Sequence, residues 1–152
     1  MSKELSRHEI REKALQALFP LDFNQELTKK DAINHALSLD QADWVSEEED
    51  AFVPAYLDEL VGGVVSKTTE LDQIIQSHLR SNWSIQRISK MDLIILRLGI
   101  YEMMYNEKVP NKVVLNEAIE LAKTFSDDQS RKFVNGILSN VMKEIDEAGK
   151  NS

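Results

Sequence analysis

At 152 residues with 42% hydrophobic side chains, the chain holds enough apolar material for one core, so a single domain over residues 1–152 is expected. The absence of cysteine excludes disulfides and thiolate metal sites and fits a cytoplasmic protein. Eighteen Lys and Arg against 26 Asp and Glu give a formal net charge of −8, which disfavours indiscriminate adhesion to nucleic acid or anionic membranes.

Residues 1–11 alternate charged and polar side chains where a signal peptide needs an apolar run, so export is not expected. Residues 1–5 are expected to fray. The first helix starts after Ser6, whose hydroxyl forms a capping-box pattern with Glu9 three residues on. Its core face is Ile10, Ala14, Ala17, Leu18 and Leu21, and Pro20 is expected to kink or end it. Thr28 with Asp31 opens a second short helix through Ala32, Ile33, Ala36 and Leu37. Residues 41–60 then carry Asp43, Glu47, Glu48, Glu49, Asp50, Asp58 and Glu59 without a Lys or Arg, which concentrates the basic side chains elsewhere.

Phe52, Tyr56, Leu57, Leu60, Val61 and Val64 form the next apolar stripe, with Pro54 tolerable in a first turn and Gly62 and Gly63 permitting close packing or a bend. Leu71, Ile74, Ile75 and Leu79 repeat the helical spacing, and residues 66–69 between the two stripes leave a break or a continuous helix open. Ser89 and Asp92 make another capping-box pattern ahead of a helix over residues 89–105. That helix is apolar around most of its circumference, with Arg97 and Glu102 as its polar exceptions, so it is expected to be central and the most buried. Its apolar run at residues 93–96 is far short of the ~20 residues of a membrane span.

A turn at residues 106–111 containing Pro110 leads to a helix with Val114, Ala118, Leu121, Ala122 and Phe125. Residues 126–130 are a loop and cap region before a final helix with Val134, Ile137, Leu138, Val141, Met142 and Ile145. Residues 148–152 are expected to fray. The expected fold is all-α, with no strand.

No motif in this pattern carries catalysis. His8, His35 and His78 lie in three different helices, and His8 with Glu12 or Asp31 with His35 reads as a solvated i,i+4 pair rather than a zinc site. Gly62 and Gly63 lack the Lys and Ser or Thr of a phosphate loop, and no G-x-S-x-G elbow occurs. The expectation is a protein without enzymatic activity, metal or cofactor.

Three segments are more specific: Trp83-Ser-Ile-Gln-Arg-Ile88, Met91-Asp-Leu-Ile-Ile-Leu-Arg-Leu-Gly-Ile-Tyr-Glu102, and Val109-Pro-Asn-Lys-Val-Val-Leu-Asn-Glu-Ala-Ile-Glu-Leu-Ala-Lys-Thr-Phe125. With Lys132-Phe-Val-Asn-Gly-Ile-Leu138 behind them, this order and spacing resembles the NusB family over residues 60–141. Arg11-Glu-Lys-Ala-Leu-Gln-Ala-Leu18 looks like the family's first helix. The family usually carries a denser arginine cluster at its N-terminus than Arg7, His8 and Arg11 provide here.

The resemblance implies a bundle of about seven helices in two lobes and a cytoplasmic role in transcription antitermination of ribosomal RNA operons. It implies binding of boxA-type single-stranded RNA together with NusE, a small-subunit ribosomal protein. Other antitermination factors and RNA polymerase would be reached indirectly. A homodimer stays open, with Leu5, Ile10 and the Pro20 region as its candidate seam. An acidic module that binds NusE without appreciable RNA affinity is a second reading, and an accessory domain of an RNA methyltransferase is a third.

For RNA the candidates are Arg7, His8, Arg11, Lys123, Arg131, Lys132 and Phe133, which form one basic and aromatic surface if the first helix lies beside the start of the last. Phe133 reads equally as a core edge or a base-stacking ring. For the protein partner the candidates are Asp92, which matches a family position associated with NusE, and Glu102, on an acidic surface that suits a basic ribosomal protein. Residues 93–98, Val113, Ala118, Leu121 and Leu138 read as core, Trp83 as a packing anchor in preference to a stacking platform, and Gly136 as a site of close helix packing. Arg97 is expected to pair with a carboxylate such as Glu117 or Glu120. Asn116 and Asn135 read as helix-end hydrogen bonders.

Overall fold

A computed structural model describes residues 5–39 and 54–150 of the chain. Among these residues there are seven α-helices, one 3-10 turn and no strand. They fall into two compact units, Met1–Val65 and Ser66–Ser152. Among the described residues no helix is long and apolar enough to cross a membrane.

In the first unit, α1 (Arg7–Phe23) begins with both halves of the capping box: the Glu9 amide donates to Ser6 Oγ at 3.1 Å, and the Ser6 amide to Glu9 Oε1 at 3.0 Å. It buries Ile10, Ala14, Leu15, Ala17 and Leu18. Of the two outcomes expected at Pro20, a stop does not occur: α1 runs one turn further, to Phe23. Proline costs a helix the amide that would bond four residues back, a loss confined here to a single position. The Asn24 amide closes the last turn on the Pro20 carbonyl at 3.0 Å.

Helix α2 (Lys29–Ser38) starts where Thr28 Oγ1 accepts the Asp31 amide, and it packs Ala32, Ile33 and Ala36 against α1. Helix α3 (Ala55–Ser66) buries Leu57, Leu60, Val61 and Val64. The expected stripe member Phe52 and the acids at positions 43–50 lie outside the described residues. Lys29 links α2 to α3, its ammonium 3.0 Å from Asp58 and its side chain lying over Gly62. Ile10, expected at a dimer seam, is buried within the single chain.

The second unit contains α4 (Thr68–Ser77), the 3-10 turn Ile85–Arg87, α5 (Lys90–Tyr105), α6 (Asn111–Phe125) and α7 (Asp128–Lys150). The open question at residues 66–69 resolves as a break at Lys67. Every residue of α5 from 92 to 103 is buried, as its all-round apolar sequence predicts, and α4, α6 and α7 pack around it. Gly99 makes that packing close: a Cβ there would stand 3.0 Å from Leu138 Cδ1 on α7 and 3.7 Å from Ala118 Cβ on α6.

Several sequence expectations shift in this unit. Arg97 pairs with a carboxylate, as expected, and Asp72 of α4 supplies it, through Nε to Oδ1 at 2.7 Å and Nη2 to Oδ2 at 2.8 Å. The two Asp72 oxygens meet the planar guanidinium fork in a bidentate pair. Val113 is 43% exposed, since it sits in the first turn of α6 ahead of the buried Val114. Gly136 is on the exposed face of α7, with no atom within 4 Å of a Cβ there, so close packing falls to Gly99 instead. Helix α7 continues to Lys150. His78, at the C-cap of α4, is tied to Glu144 on α7.

Candidate nucleic-acid and partner surfaces

The start of α7 is held by a chain of short polar side chains. Asp127 Oδ1 accepts the Ser130 amide at 2.8 Å, satisfying one of the donors a helix leaves open in its first turn. The Ser130 amide foremost, with the Ser130 side chain next, holds the Asp127 carboxyl below its ordinary value of 3.8. Ser126 Oγ donates to Ser130 Oγ at 2.7 Å, and Ser130 Oγ donates to Asp92 Oδ2 at 2.8 Å. Asp92 also closes the first turn of α5, its amide donating to Ser89 Oγ at 3.2 Å. Asp92 Oδ1 is buried with no hydrogen-bond partner among the described residues.

This anchoring fixes the backbone from which Arg131, Lys132 and Phe133 project. Lys132 is exposed, while Arg131 and Phe133 are half-buried. Arg131 lies 3.7 Å from Asp128, an exposed pair of the kind that contributes little and leaves the guanidinium available. Lys123 is exposed in the last turn of α6. Val134, next to Phe133, is fully buried, so the Phe133 ring stands at the margin of the core.

In the first unit, Arg7 is exposed, with its guanidinium 5.6 Å above the Tyr56 ring centroid. His8 faces Glu12 at 3.6 Å, the expected i,i+4 pair. Arg11 was expected to share an exposed face with Arg7, yet it is 3% exposed. It is not without a partner there. The two arginines are four residues apart, but α1 turns one of them inward.

Asp92 and Glu102, read from sequence as parts of an acidic surface, are 7% and 1% exposed. Asp92 spends its carboxylate inside the unit, on Ser130. Sequence reasoning missed that bond because the only local signal, the Ser89 and Asp92 spacing, points along α5 rather than across 38 residues to α7. Trp83, read as a packing anchor, is 42% exposed.

Among solved structures, this arrangement is similar to the NusB of T. maritima, with a TM-score of 0.75 at 28% identity, over 93% of this chain and 94% of that one. It is also similar to NusB in the crystal structure of antitermination factors NusB and NusE in complex with dsRNA. There the TM-score is 0.73 at 26% identity, over 91% of this chain and 96% of that one. The helical architecture thus falls in the class of transcription antitermination factors.

The NusB family model matches residues 8–143. Transcription antitermination protein NusB of Enterococcus faecalis is 66% identical over 147 residues, 96% of each chain. That of Listeria monocytogenes serotype 4a is 45% identical over 142 residues, 92% of this chain and 98% of the relative. The chain belongs to the NusB family.

Proposed function

We propose that this chain is a cytoplasmic RNA-binding adaptor in transcription antitermination of ribosomal RNA operons, which binds boxA-type single-stranded RNA together with NusE. The observation that carries the reading is the anchored start of α7, where a chain of net charge −8 nonetheless presents Lys132 beside Arg131 and the marginal ring of Phe133. Phosphates meet the cations and a base stacks on the ring, a division of labour common in single-strand recognition. A solved relative crystallised with NusE and double-stranded RNA supports NusE and RNA as the partners.

Lys123 adds to the α7 group, and Arg7 and His8 form a separate contribution on α1. Arg11 supports α1 from within. Partner recognition through Asp92 is then indirect, by way of the two helix starts it joins, and through Glu102 by way of the interior of α5, where it is buried. Other antitermination factors and RNA polymerase are reached through the assembled complex. A homodimer would close over the Pro20 region, where Phe23 is 63% exposed.

Fluorescence anisotropy with boxA-type RNA, with and without NusE, tests the reading. Weak binding alone and a clear gain with NusE are expected, with Phe133→Ala lowering affinity at unchanged salt slope. The second reading, an acidic module for NusE alone, is favoured by the net charge and the burial of Arg11. Binding of NusE with no RNA signal in either condition would establish it instead.

A further inference from the structure

The sequence from residue 73 to residue 91 contains no Asp or Glu, although 26 acids are spread through the chain. The same stretch holds Arg80, Arg87 and Lys90. In an acidic protein this is a local reversal of charge, and it coincides with Trp83, an indole left 42% in water. Burying such a ring is ordinarily favourable, so its exposure on a well-formed loop asks for an occupant.

The loop is well formed. The Trp83 amide donates to the Arg80 carbonyl at 2.9 Å and the Arg87 amide to the Ser84 carbonyl at 2.9 Å, two turns in succession. Gln76 of α4 then clasps the loop with both ends of its amide: Nε2 donates to the Trp83 carbonyl at 3.2 Å, and Oε1 accepts the Ile85 amide at 3.0 Å. Both contacts go to backbone atoms. The clasp therefore sets the position of the indole without using it, and Arg80 and Arg87 stand exposed on either side in sequence.

We propose that the residue 80–87 loop is a second contact for single-stranded RNA, with Trp83 stacking on a base and Arg80 and Arg87 meeting backbone phosphates. The proposal rests on the RNA-binding reading above but uses none of its residues. Stacking tolerates any base because each has a π face, and the guanidinium fork matches phosphate oxygens. An acidic peptide would satisfy the arginines but leave the indole without a planar partner.

The experiment uses the full-length chain and an unstructured, fluorescein-labelled single-stranded RNA, with NusE added. In a Trp44→Phe background Trp83 is the sole tryptophan. Its emission should be quenched saturably by unlabelled RNA of the same sequence. Trp83→Ala should weaken binding on the order of tenfold at unchanged salt slope, and Trp83→Phe should recover part of the loss. Arg80→Gln with Arg87→Gln should reduce the salt slope by about 1.4, as expected for two lost phosphate contacts on a single strand.

Unquenched emission at saturating RNA, with Trp83→Ala binding like the parent while Phe133→Ala weakens it, would overturn this site and leave the RNA reading intact. Absence of RNA binding by the parent would overturn both. Quenching by an oligoglutamate peptide but not by RNA would assign the loop to an acidic protein partner. Should Trp83→Ala fail to fold by circular dichroism, the emission measurement decides alone.

Discussion

Ser130 Oγ donates to Asp92 Oδ2 across 2.8 Å, joining the first turn of α7 to the first turn of α5. Two helix starts 38 residues apart are thereby registered by one hydroxyl. Ser130→Ala should leave the buried carboxylate without its donor and cost about 1–3 kcal/mol in urea denaturation. Ser126→Ala, one step further out, should cost less. In a double-mutant cycle, Asp92→Ala with Ser130→Ala should be sub-additive, and additivity would mean that the bond is not made in solution.

Arg97 offers a direct comparison of two carboxylates. Asp72→Ala removes the bidentate partner of a side chain only 8% exposed and should destabilise the fold on the order of 3 kcal/mol. Glu120→Gln, at one of the carboxylates that the sequence suggested, should change stability by less than about 0.5 kcal/mol. Thermal melts of the two variants check the assignment.

Two glycines on packed helices should respond with opposite sign. Gly99→Ala forces Leu138, itself fully buried, to move away from 3.0 Å, and crowding of about 1–3 kcal/mol should outweigh the gain in helix propensity. Gly136→Ala meets nothing within 4 Å and should stabilise by about 1 kcal/mol. Equal effects in chemical denaturation would contradict the close approach at Gly99.

Asp127 gives a pH dependence of defined sign. Its carboxyl is held below 3.8 in the folded chain, so its contribution to stability is complete above that value. It is lost as pH falls through the lower folded value. Asp127→Asn should therefore lose stability relative to the parent at neutral pH, and the difference should shrink as an acid titration of the melting temperature proceeds below pH 3.8.

Arg7 and Arg11 should separate function from stability. Arg7→Glu, at an exposed cation, should flatten the salt dependence of RNA binding with little effect on melting. Arg11→Glu, at a side chain 3% exposed, should lower the melting temperature before any binding is measured. If Arg11→Glu melts like the parent and only weakens RNA binding, its guanidinium reaches the surface.

The fold was legible because it is written in short-range periodicity. The apolar circumference of α5 foretold its burial, and Ser6 with Glu9 foretold the start of α1, since both depend on residues within a turn of one another. The partners of polar side chains were not legible. Asp72 stands 25 residues from Arg97 and Ser130 stands 38 from Asp92, and no local spacing distinguishes them from the many other acids and hydroxyls. The candidate surface was half legible: helical spacing placed Arg7 and Arg11 on one side of α1, but it does not say how far round that side the core extends.

The Gln76 clasp separates the shape of a loop from its chemistry. Because one amide grips only main-chain atoms of Trp83 and Ile85, side chains at positions 80–83 can be exchanged without redrawing the loop they stand on. Such a position is evolvable: relatives can retune what this edge of the molecule recognises while inheriting its geometry unchanged. It is equally a place for the protein engineer, where a randomised library would vary recognition on a fixed frame.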